Sequence, residues 1–215
     1  MLYHYMGKES MRNKIIGIFV CMLLITTILP MTALAGDEEH PEIKDTAGDA
    51  FGYIDINSVW FFEKAETPQF LFVSLKINKP SDSKFQQTFA AFWTYNNIEY
   101  STGLLVGFSF NNWNQFMMIQ YKDNKDDKII AINGTYNLDT GIITWEIPKT
   151  IIGNPKLGDV MTNTWSNAFR RLGFLGRIGF TRNILDMIIF FVFGNNMWDY
   201  APEVPGYGLD YIIQY

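Results

Sequence analysis

Cysteine and histidine are almost absent from this chain. Its 215 residues include one cysteine, Cys21, and two histidines, His4 and His40. Cys21 lies in an apolar run near the start, and His40 lies in the acidic stretch GDEEHPEIK. The scarcity excludes a disulfide scaffold and a zinc site built on several cysteines or histidines. A Ser-His-Asp triad in the main body of the chain would have to borrow its histidine from this acidic stretch.

Positive charge is also scarce. The chain carries 17 Lys and Arg against 22 Asp and Glu, a net charge of −5. Nucleic-acid binding usually needs a basic face, so this balance argues against a nucleic-acid partner. Carboxylates, lysines and tyrosines are the groups left for chemistry, and no spacing among the acids selects a catalytic pair. We therefore expect a protein that is not an enzyme.

The first 35 residues have the three-part organisation of a secretory signal peptide. Arg12 and Lys14 precede the apolar run IIGIFVCMLLITTILP, and Ala33 and Ala35 occupy the small-residue positions of a cleavage site. We predict an N-terminal signal helix, cleavage after Ala35, and a secreted or cell-surface protein. The alternative is a retained membrane anchor over residues 15–34, because ~20 apolar residues are just enough to span a bilayer.

Most of the remaining chain alternates between apolar and polar residues, as β-strands do. The strand candidates are QFLFVSLKIN, TFAAFWTY, IEYSTGLLVGFSF, residues 115–122, 128–136 and 141–147, and the tail GYGLDYIIQY. KDNKDD and NLDTG have the composition of hairpin turns. We predict an all-β domain over residues 45–215, an antiparallel, jelly-roll-like β-sandwich preceded by a flexible acidic lead over residues 36–44.

Residues 160–198 depart from this pattern. The arginines that follow the predicted signal peptide all lie here: Arg170, Arg171, Arg177 and Arg182. We predict a helical excursion inserted near residues 160–197, although its glycines weaken a helix by ~1 kcal/mol each. One interpretation is a cover over one end of the sandwich. The other is an element, residues 169–194, that contacts a membrane surface or a protein partner through these arginines.

Three aspartates occur close together in DTAGDAFGYIDI, at the entrance to the first predicted strand. Asp45 and Asp49 could bond nearby amides in a tight turn around Gly48. They could instead bind a cation, because calcium takes about six to eight oxygen ligands, mainly carboxylates and carbonyls. Asp55 is expected to face solvent or to pair with a lysine.

Aromatic residues are abundant, with six Trp, 11 Tyr and 18 Phe. Exposed rings stack on sugars, whereas buried rings fill a sandwich core. Trp113, in the polar loop NNWNQ, is the best exposed candidate for a ligand platform, and Trp93 is a second candidate. The polar neighbours of Trp113 that could hydrogen-bond sugar hydroxyls are Asn112, Asn114 and Gln115.

One motif concerns modification. Asn133-Gly134-Thr135 has the form of an N-glycosylation sequon. Asn133 is therefore a candidate glycosylation site in a secreted archaeal or eukaryotic protein, although so short a motif also occurs by chance.

Five stretches in order carry a family resemblance: DTAGDAFGYIDINSVWFFEK, LFVSLKI, WEIPKTIIGNPKLGD, DYAP and YGLDYIIQY. Together they resemble the secreted β-sandwich domains related to family 9 carbohydrate-binding modules and DOMON domains. The resemblance covers about residues 45–159 and 198–215, and the arginine-rich segment departs from it. It implies a jelly-roll-like sandwich that binds a ligand outside the cell, often a sugar.

The resemblance also bears on cofactors. Some relatives hold structural calcium near the first and last strands, which implies Asp45 and Asp49 as ligands and Asp210 as a third candidate. Others bind haem through a histidine and a methionine. His40 lies outside the matched region, so no haem is expected.

Two functions from different classes follow. The first is a secreted or surface-held, non-catalytic module that binds extracellular carbohydrate. The alternative is a structural or interaction protein of the envelope that docks on a membrane or a protein partner through residues 169–194.

Overall fold

The structure is a computed structural model that describes residues 36–50, 53–80, 86–106, 115–121, 127–171, 198–203 and 206–215. Several sequence predictions fall outside these ranges: the signal helix and cleavage site over residues 1–35, the part of the helical excursion over 172–197, and Asn112, Trp113, Asn114, Arg177 and Arg182. Among the described residues, no helix has the length and apolar character needed to cross a membrane.

Regular structure in the described residues consists of twelve strands and one short 3-10 turn, Lys149–Ile152. The strands are β1 (Ile43–Lys44), β2 (Ile56–Phe62), β3 (Phe70–Ile77), β4 (Gln86–Tyr95), β5 (Ile98–Val106), β6 (Gln115–Gln120), β7 (Lys128–Ala131), β8 (Asn133–Asn137), β9 (Ile142–Pro148), β10 (Val160–Arg171), β11 (Trp198–Ala201) and β12 (Tyr211–Ile212). They form two antiparallel sheets. Sheet I has the order β1-β2-β3-β9-β8, and sheet II has the order β11-β10-β4-β5-β6-β7 with β12 also paired to β10.

The all-β prediction is confirmed, and the two sheets pack in the manner of a β-sandwich. Phe61 on β2 of sheet I meets Trp93 on β4 of sheet II edge to face, with ring centroids 5.8 Å apart. Trp145 on β9 of sheet I donates its indole N–H to the backbone oxygen of Gly103 on β5 of sheet II, at 3.0 Å. Burial of a large apolar side chain contributes roughly 1.5–3 kcal/mol, so these rings stabilise the packing of the two sheets.

The buried apolar residues that the structure describes form one hydrophobic core. All of its fully buried members in the described residues lie between Ile43 and Ile213. Strands of both sheets contribute to this core.

The predicted NLDTG turn is confirmed between β8 and β9. The side-chain oxygen of Asn137 accepts the backbone N–H groups of Asp139 and Thr140 at 2.9 and 3.2 Å. Gly141 has a φ of +72°, and a Cβ there would lie 2.6 Å from the backbone oxygen of Ile77. Glycine is needed at this position for both its conformation and its lack of a side chain.

The predicted helical excursion near 160–197 is wrong over its first 12 residues, which form β10. This strand pairs with β4 on one side and with β11 and β12 on the other. Its inward residues include Thr164, Ser166 and Ala168, all buried. Because these inward residues are small or polar, the sequence of β10 does not show the apolar alternation of a strand. The arginines at its end also favour the prediction of a separate element.

Three boundaries also differ from the predictions. Ile43 and Lys44, predicted to belong to a flexible lead, form β1 and pair with Val59 and Ser58. Residues 128–136, predicted as one strand, contain β7 in sheet II and β8 in sheet I. The long tail strand is reduced to Tyr211–Ile212.

Candidate functional site

Five acidic side chains meet where β1, β2 and β11 approach one another. We call them the carboxylate cluster: Asp45, Asp49, Asp55, Asp199 and Glu203. Asp45, Asp49 and Glu203 have carboxylate oxygens within 4.8 Å of one another, and so do Asp49, Asp55 and Asp199. Asp45 follows β1, Asp49 lies in the next turn, and Asp55 directly precedes β2. The cluster therefore joins residues close in sequence to residues about 150 positions later.

The turn after β1 is held by Asp55. Its carboxylate accepts the backbone N–H of Gly48, at 3.0 and 3.2 Å to the two oxygens, and a side-chain N–H of Asn78 at 2.9 Å. Gly48 has a φ of +93°. Asp55 is 3% exposed, so the expectation that it would face solvent or pair with a lysine is wrong. Its hydrogen bonds to uncharged donors account for its burial.

Asp199 reaches the cluster from β11. It is 4% exposed and accepts the backbone N–H of Ile56 at 2.5 Å. Because Ile56 begins β2 in sheet I and Asp199 belongs to sheet II, this hydrogen bond joins the two sheets. A carboxylate at this position fixes the edge strand β11 to the opposite layer.

Asp45 differs from Asp55 and Asp199 in the surroundings of its carboxylate. Both of its carboxylate oxygens are buried, and neither has a hydrogen-bond partner among the described residues. Burial and then the charge of Asp199 raise the pKa of Asp45 to about 7, and the nearby backbone N–H of Thr46 lowers it only in part. An uncompensated buried carboxylate is costly to ionise, so it favours either a proton or a bound cation.

The charges around the cluster are negative. Burial, with smaller effects from the charges of Asp49 and Asp55, raises the pKa of Asp199 to about 6, although the N–H of Ile56 opposes the change. Within the described part of the chain, no lysine or arginine forms an ion pair with any member of the cluster. The arrangement offers hard oxygen ligands to a divalent cation of the calcium or magnesium type.

The third calcium ligand proposed from the sequence, Asp210, is not part of the cluster. Asp199 pairs with Ala168 of β10, whereas Tyr211, next to Asp210, pairs with Met161. Seven residues of strand separate these two positions, or ~23 Å at ~3.3 Å per residue. Asp210 is exposed at the other end of the sheet, and the later acids that lie near Asp45 and Asp49 are Asp199 and Glu203.

A second candidate site lies on the outer side of sheet II. We call it the aromatic face: Phe92, Tyr121, Trp165, Phe169, Trp198 and Tyr200. Strand register places them on one side, because Trp165 pairs with Phe92 and Phe169 pairs with Trp198. The core residues of β4 and β11 point the other way.

The rings of the aromatic face stack on one another. Phe92 and Trp165 are nearly parallel, with centroids 3.7 Å apart, and Phe169 and Trp198 stack at 4.9 Å. Trp198 and Tyr200 are 6.3 Å apart with planes only 6° from parallel, and they are 42% and 40% exposed. Stacking fixes the rings in place and leaves two of them open at the edge strand.

Asn167 lies on the same side of β10, opposite Tyr200 in register. Its amide oxygen is buried and has no hydrogen-bond partner among the described residues. Because this oxygen is buried, it does not reach the surface, and the aromatic face offers mainly ring surfaces to a ligand.

The two described residues that were predicted from the sequence to bind a ligand, Trp93 and Gln115, differ in their exposure. Trp93 is completely buried between the sheets, stacked on Tyr100, so its candidacy as a ligand platform is wrong. Gln115 is exposed at the start of β6. Sequence reasoning missed the aromatic face, although alternation in WDYA and in TWSNAF could have placed Trp165, Trp198 and Tyr200 on one side.

Arg170, a predicted membrane or partner contact, lies on β10 and is half-buried. Its guanidinium group lies over the ring of Tyr53, 4.9 Å from the centroid, and donates to the Tyr53 hydroxyl. This arginine therefore packs within the domain. Arg171 is the last residue of the same strand.

Asn133 of the sequon is exposed at the start of β8, an edge strand of sheet I. Nothing in the strand covers its side chain, so it remains a candidate for glycosylation.

Comparison with known proteins gives no further identification: no protein-family model, no curated protein and no solved structure matches this chain.

Proposed function

We propose that this protein is a secreted or surface-held, non-catalytic binding module for extracellular carbohydrate, and that the aromatic face is its binding surface. The observation that carries the proposal is the pair Trp198 and Tyr200, exposed and almost parallel on the edge strand β11. The flat faces of sugar rings stack on such side chains, and a row of parallel rings suits a chain of sugars.

The acidic surface and the sequence-derived leader agree with this role. A net charge of −5 does not suit an anionic polymer such as nucleic acid, whereas neutral sugars are indifferent to it. The extracellular location rests on the predicted signal peptide and on the family resemblance. The same resemblance supports a jelly-roll-like connection of the two sheets.

A glycan array tests the proposal. The purified protein is applied in buffer with calcium, beside Trp198→Ala and Tyr200→Ala. We expect binding to one class of neutral glycan, reduced at least tenfold in both variants. Tyr207→Ala is the matched control, because Tyr207 is 65% exposed but lies outside the aromatic face.

Two results would reject this function. One is a blank array from folded protein. The other is binding that all three variants share with the wild type. Liposome binding that depends on residues 169–194 would then favour the alternative, an envelope protein that docks on a membrane or on a protein partner.

We further propose that the carboxylate cluster holds a structural calcium ion, with Asp45, Asp49 and Glu203 as ligands. The support is the pair of buried, unpartnered oxygens of Asp45, which no group of positive charge compensates within the described residues. Calcium would supply that charge and would tie the turn after β1 to β11.

A further inference from the structure

Glu42 and Gly36 form an unusual contact just before β1. Glu42 is 8% exposed, and one of its carboxylate oxygens accepts the backbone N–H of Phe61 at 2.8 Å. Gly36 is buried as well. A Cβ on Gly36 would lie 2.2 and 2.3 Å from the two carboxylate oxygens of Glu42. The carboxylate therefore lies directly against the Cα of Gly36, and any side chain there would displace it.

This contact places the backbone nitrogen of Gly36 close to the carboxylate. In standard geometry the nitrogen is ~2.5 Å from the Cβ position of the same residue. It is then at most ~4.7 Å from the nearer oxygen of Glu42. That is the range in which a positive charge stabilises an ionised carboxylate.

Glu42 has no cation beside it in the described residues. The titratable groups that influence it are Asp37, which is negative, and Tyr211, which is neutral in this range of pH. None of the ion pairs in the described residues includes Glu42. Burial raises the pKa of Glu42 to about 7, and the N–H of Phe61 offsets this only partly. The Glu42 carboxylate is therefore buried close to the Gly36 nitrogen, but no positive charge among the described residues stabilises its ionised form.

Cleavage of the leader would create that charge. We propose that hydrolysis of the Ala35–Gly36 bond leaves an α-ammonium group on Gly36 that forms a buried ion pair with Glu42, so that processing stabilises the folded domain. A signal-peptidase-type protease and one water molecule break the amide bond. The new carboxylate departs on Ala35 with the leader, and the new amine stays on Gly36. An α-amino group has a pKa of about 7.7–8.0, so the amine takes a proton near neutral pH.

The ion pair would act on more than the first residues. The backbone oxygen of Glu42 accepts the N–H of Leu209 at 2.7 Å, and Ile43 follows directly in β1. Fixing Glu42 therefore fixes the start of sheet I and the segment that leads to β12. The inference rests on the predicted cleavage after Ala35 and goes beyond the proposed binding function.

The test compares two N-termini. The chain is secreted from a bacterial host with its own leader, and its mass identifies the first residue. A second form that begins at Ala35 is released from a cleavable fusion. We expect the form that begins at Gly36 to melt higher by roughly 5 °C or more at pH 7. In Glu42→Gln the two forms should melt within about 1 °C of each other.

Two controls complete the test. Glu39→Gln, an exposed acid of the same segment, should keep the difference between the two forms. Titration of the α-amine by NMR should give a pKa above about 8 in the wild-type form that begins at Gly36, a value lowered in Glu42→Gln. This readout does not depend on the stability of the variant. A first residue other than Gly36, equal melting of the two wild-type forms, or an unshifted amine pKa would overturn the proposal.

Discussion

Lys149 and Glu63 form an ion pair in the interior of the protein, where they are 3% and 8% exposed. Glu63 follows β2, and Lys149 begins the 3-10 turn after β9. The second oxygen of Glu63 accepts the Tyr211 hydroxyl at 3.1 Å and the N–H of Gln214 at 2.6 Å. Lys149 also donates to the backbone oxygen of Tyr215. The pair therefore holds the segment around β12 against sheet I.

Replacing the lysine of this pair should destabilise the protein strongly. Lys149→Met keeps most of the volume but leaves the Glu63 carboxylate buried without its cation. We expect the free energy of unfolding to fall by about 3–5 kcal/mol in chemical denaturation. Lys156→Met, which changes an exposed lysine, should cost less than about 0.5 kcal/mol. Equal losses in the two variants would show that the ion pair does not stabilise this segment.

The carboxylate cluster predicts a loss of stability with rising pH when divalent cations are removed. The pKa of Asp45 is raised to about 7 and that of Asp199 to about 6, so the folded state binds these protons more tightly than the unfolded chain. Their stabilising effect is complete below pH ~4 and is lost as pH rises to ~7. In EDTA, the melting temperature should therefore fall by a few degrees between pH 5 and pH 8.

Single substitutions show which carboxylates cause this pH dependence of the melting temperature. Asp45→Asn removes one of the raised acids, so its melting temperature should fall less over the same interval. In a form without the Gly36 ammonium group, Glu42, whose pKa is raised to about 7, adds the same slope to both proteins. Asp210→Asn, at an exposed aspartate outside the cluster, should follow the wild type. A wild-type melting temperature that is flat or rises from pH 5 to pH 8 would contradict the prediction.

Added calcium should restore the stability that is lost at high pH in EDTA. A ligand that binds only the folded state stabilises it according to its concentration relative to the Kd. We expect added calcium to raise the melting temperature at pH 7.5 by several degrees, and by less at pH 5, where protons compete for the same oxygens. The gain should disappear in Asp45→Asn and persist in Asp210→Asn. If EDTA and calcium give the wild type the same melting temperature at pH 7.5, the cluster holds no structural calcium.

Substitutions at two glycines distinguish the cost of an unusual backbone conformation from the cost of a steric overlap. Gly141 and Gly158 have φ values of +72° and +86°, but only Gly141 has atoms within 4 Å of the Cβ position. Gly158→Ala should cost about 1–2 kcal/mol, the price of a left-handed alanine. Gly141→Ala adds an overlap with the backbone oxygen of Ile77 and should cost clearly more. Similar values from denaturant unfolding would mean that the hairpin moves to admit the methyl group.

Much of the fold could be predicted from local pattern. In β9 the inward positions Ile143, Trp145 and Ile147 are large and apolar, so alternation indicates both the strand and its buried face. The pattern failed in β10, whose inward Ser166 hydrogen-bonds the backbone oxygen of Ala90 at 2.7 Å and so satisfies a buried polar group. Such compensation depends on a partner 76 residues away, which no local window contains.

The candidate sites show the same division. Asp45 and Asp49 were recognised because they lie together in one turn. Asp199 and Glu203 were not, because β11 meets β2 only after the sheets have formed. Trp93 was misplaced for a related reason: alternation separates the two faces of a strand but does not say which face another sheet will cover.

Strand β11 serves both candidate sites at once. Trp198 and Tyr200 point outward into the aromatic face, and Asp199, between them, points inward to the carboxylate cluster. Glu203 lies two residues after the end of β11, so a cation held by Asp45, Asp49 and Glu203 would also restrain the strand that carries the two exposed rings. If both sites bind as proposed, they are thermodynamically linked, and linkage is reciprocal: the factor by which the cation raises ligand affinity equals the factor by which the ligand raises cation affinity.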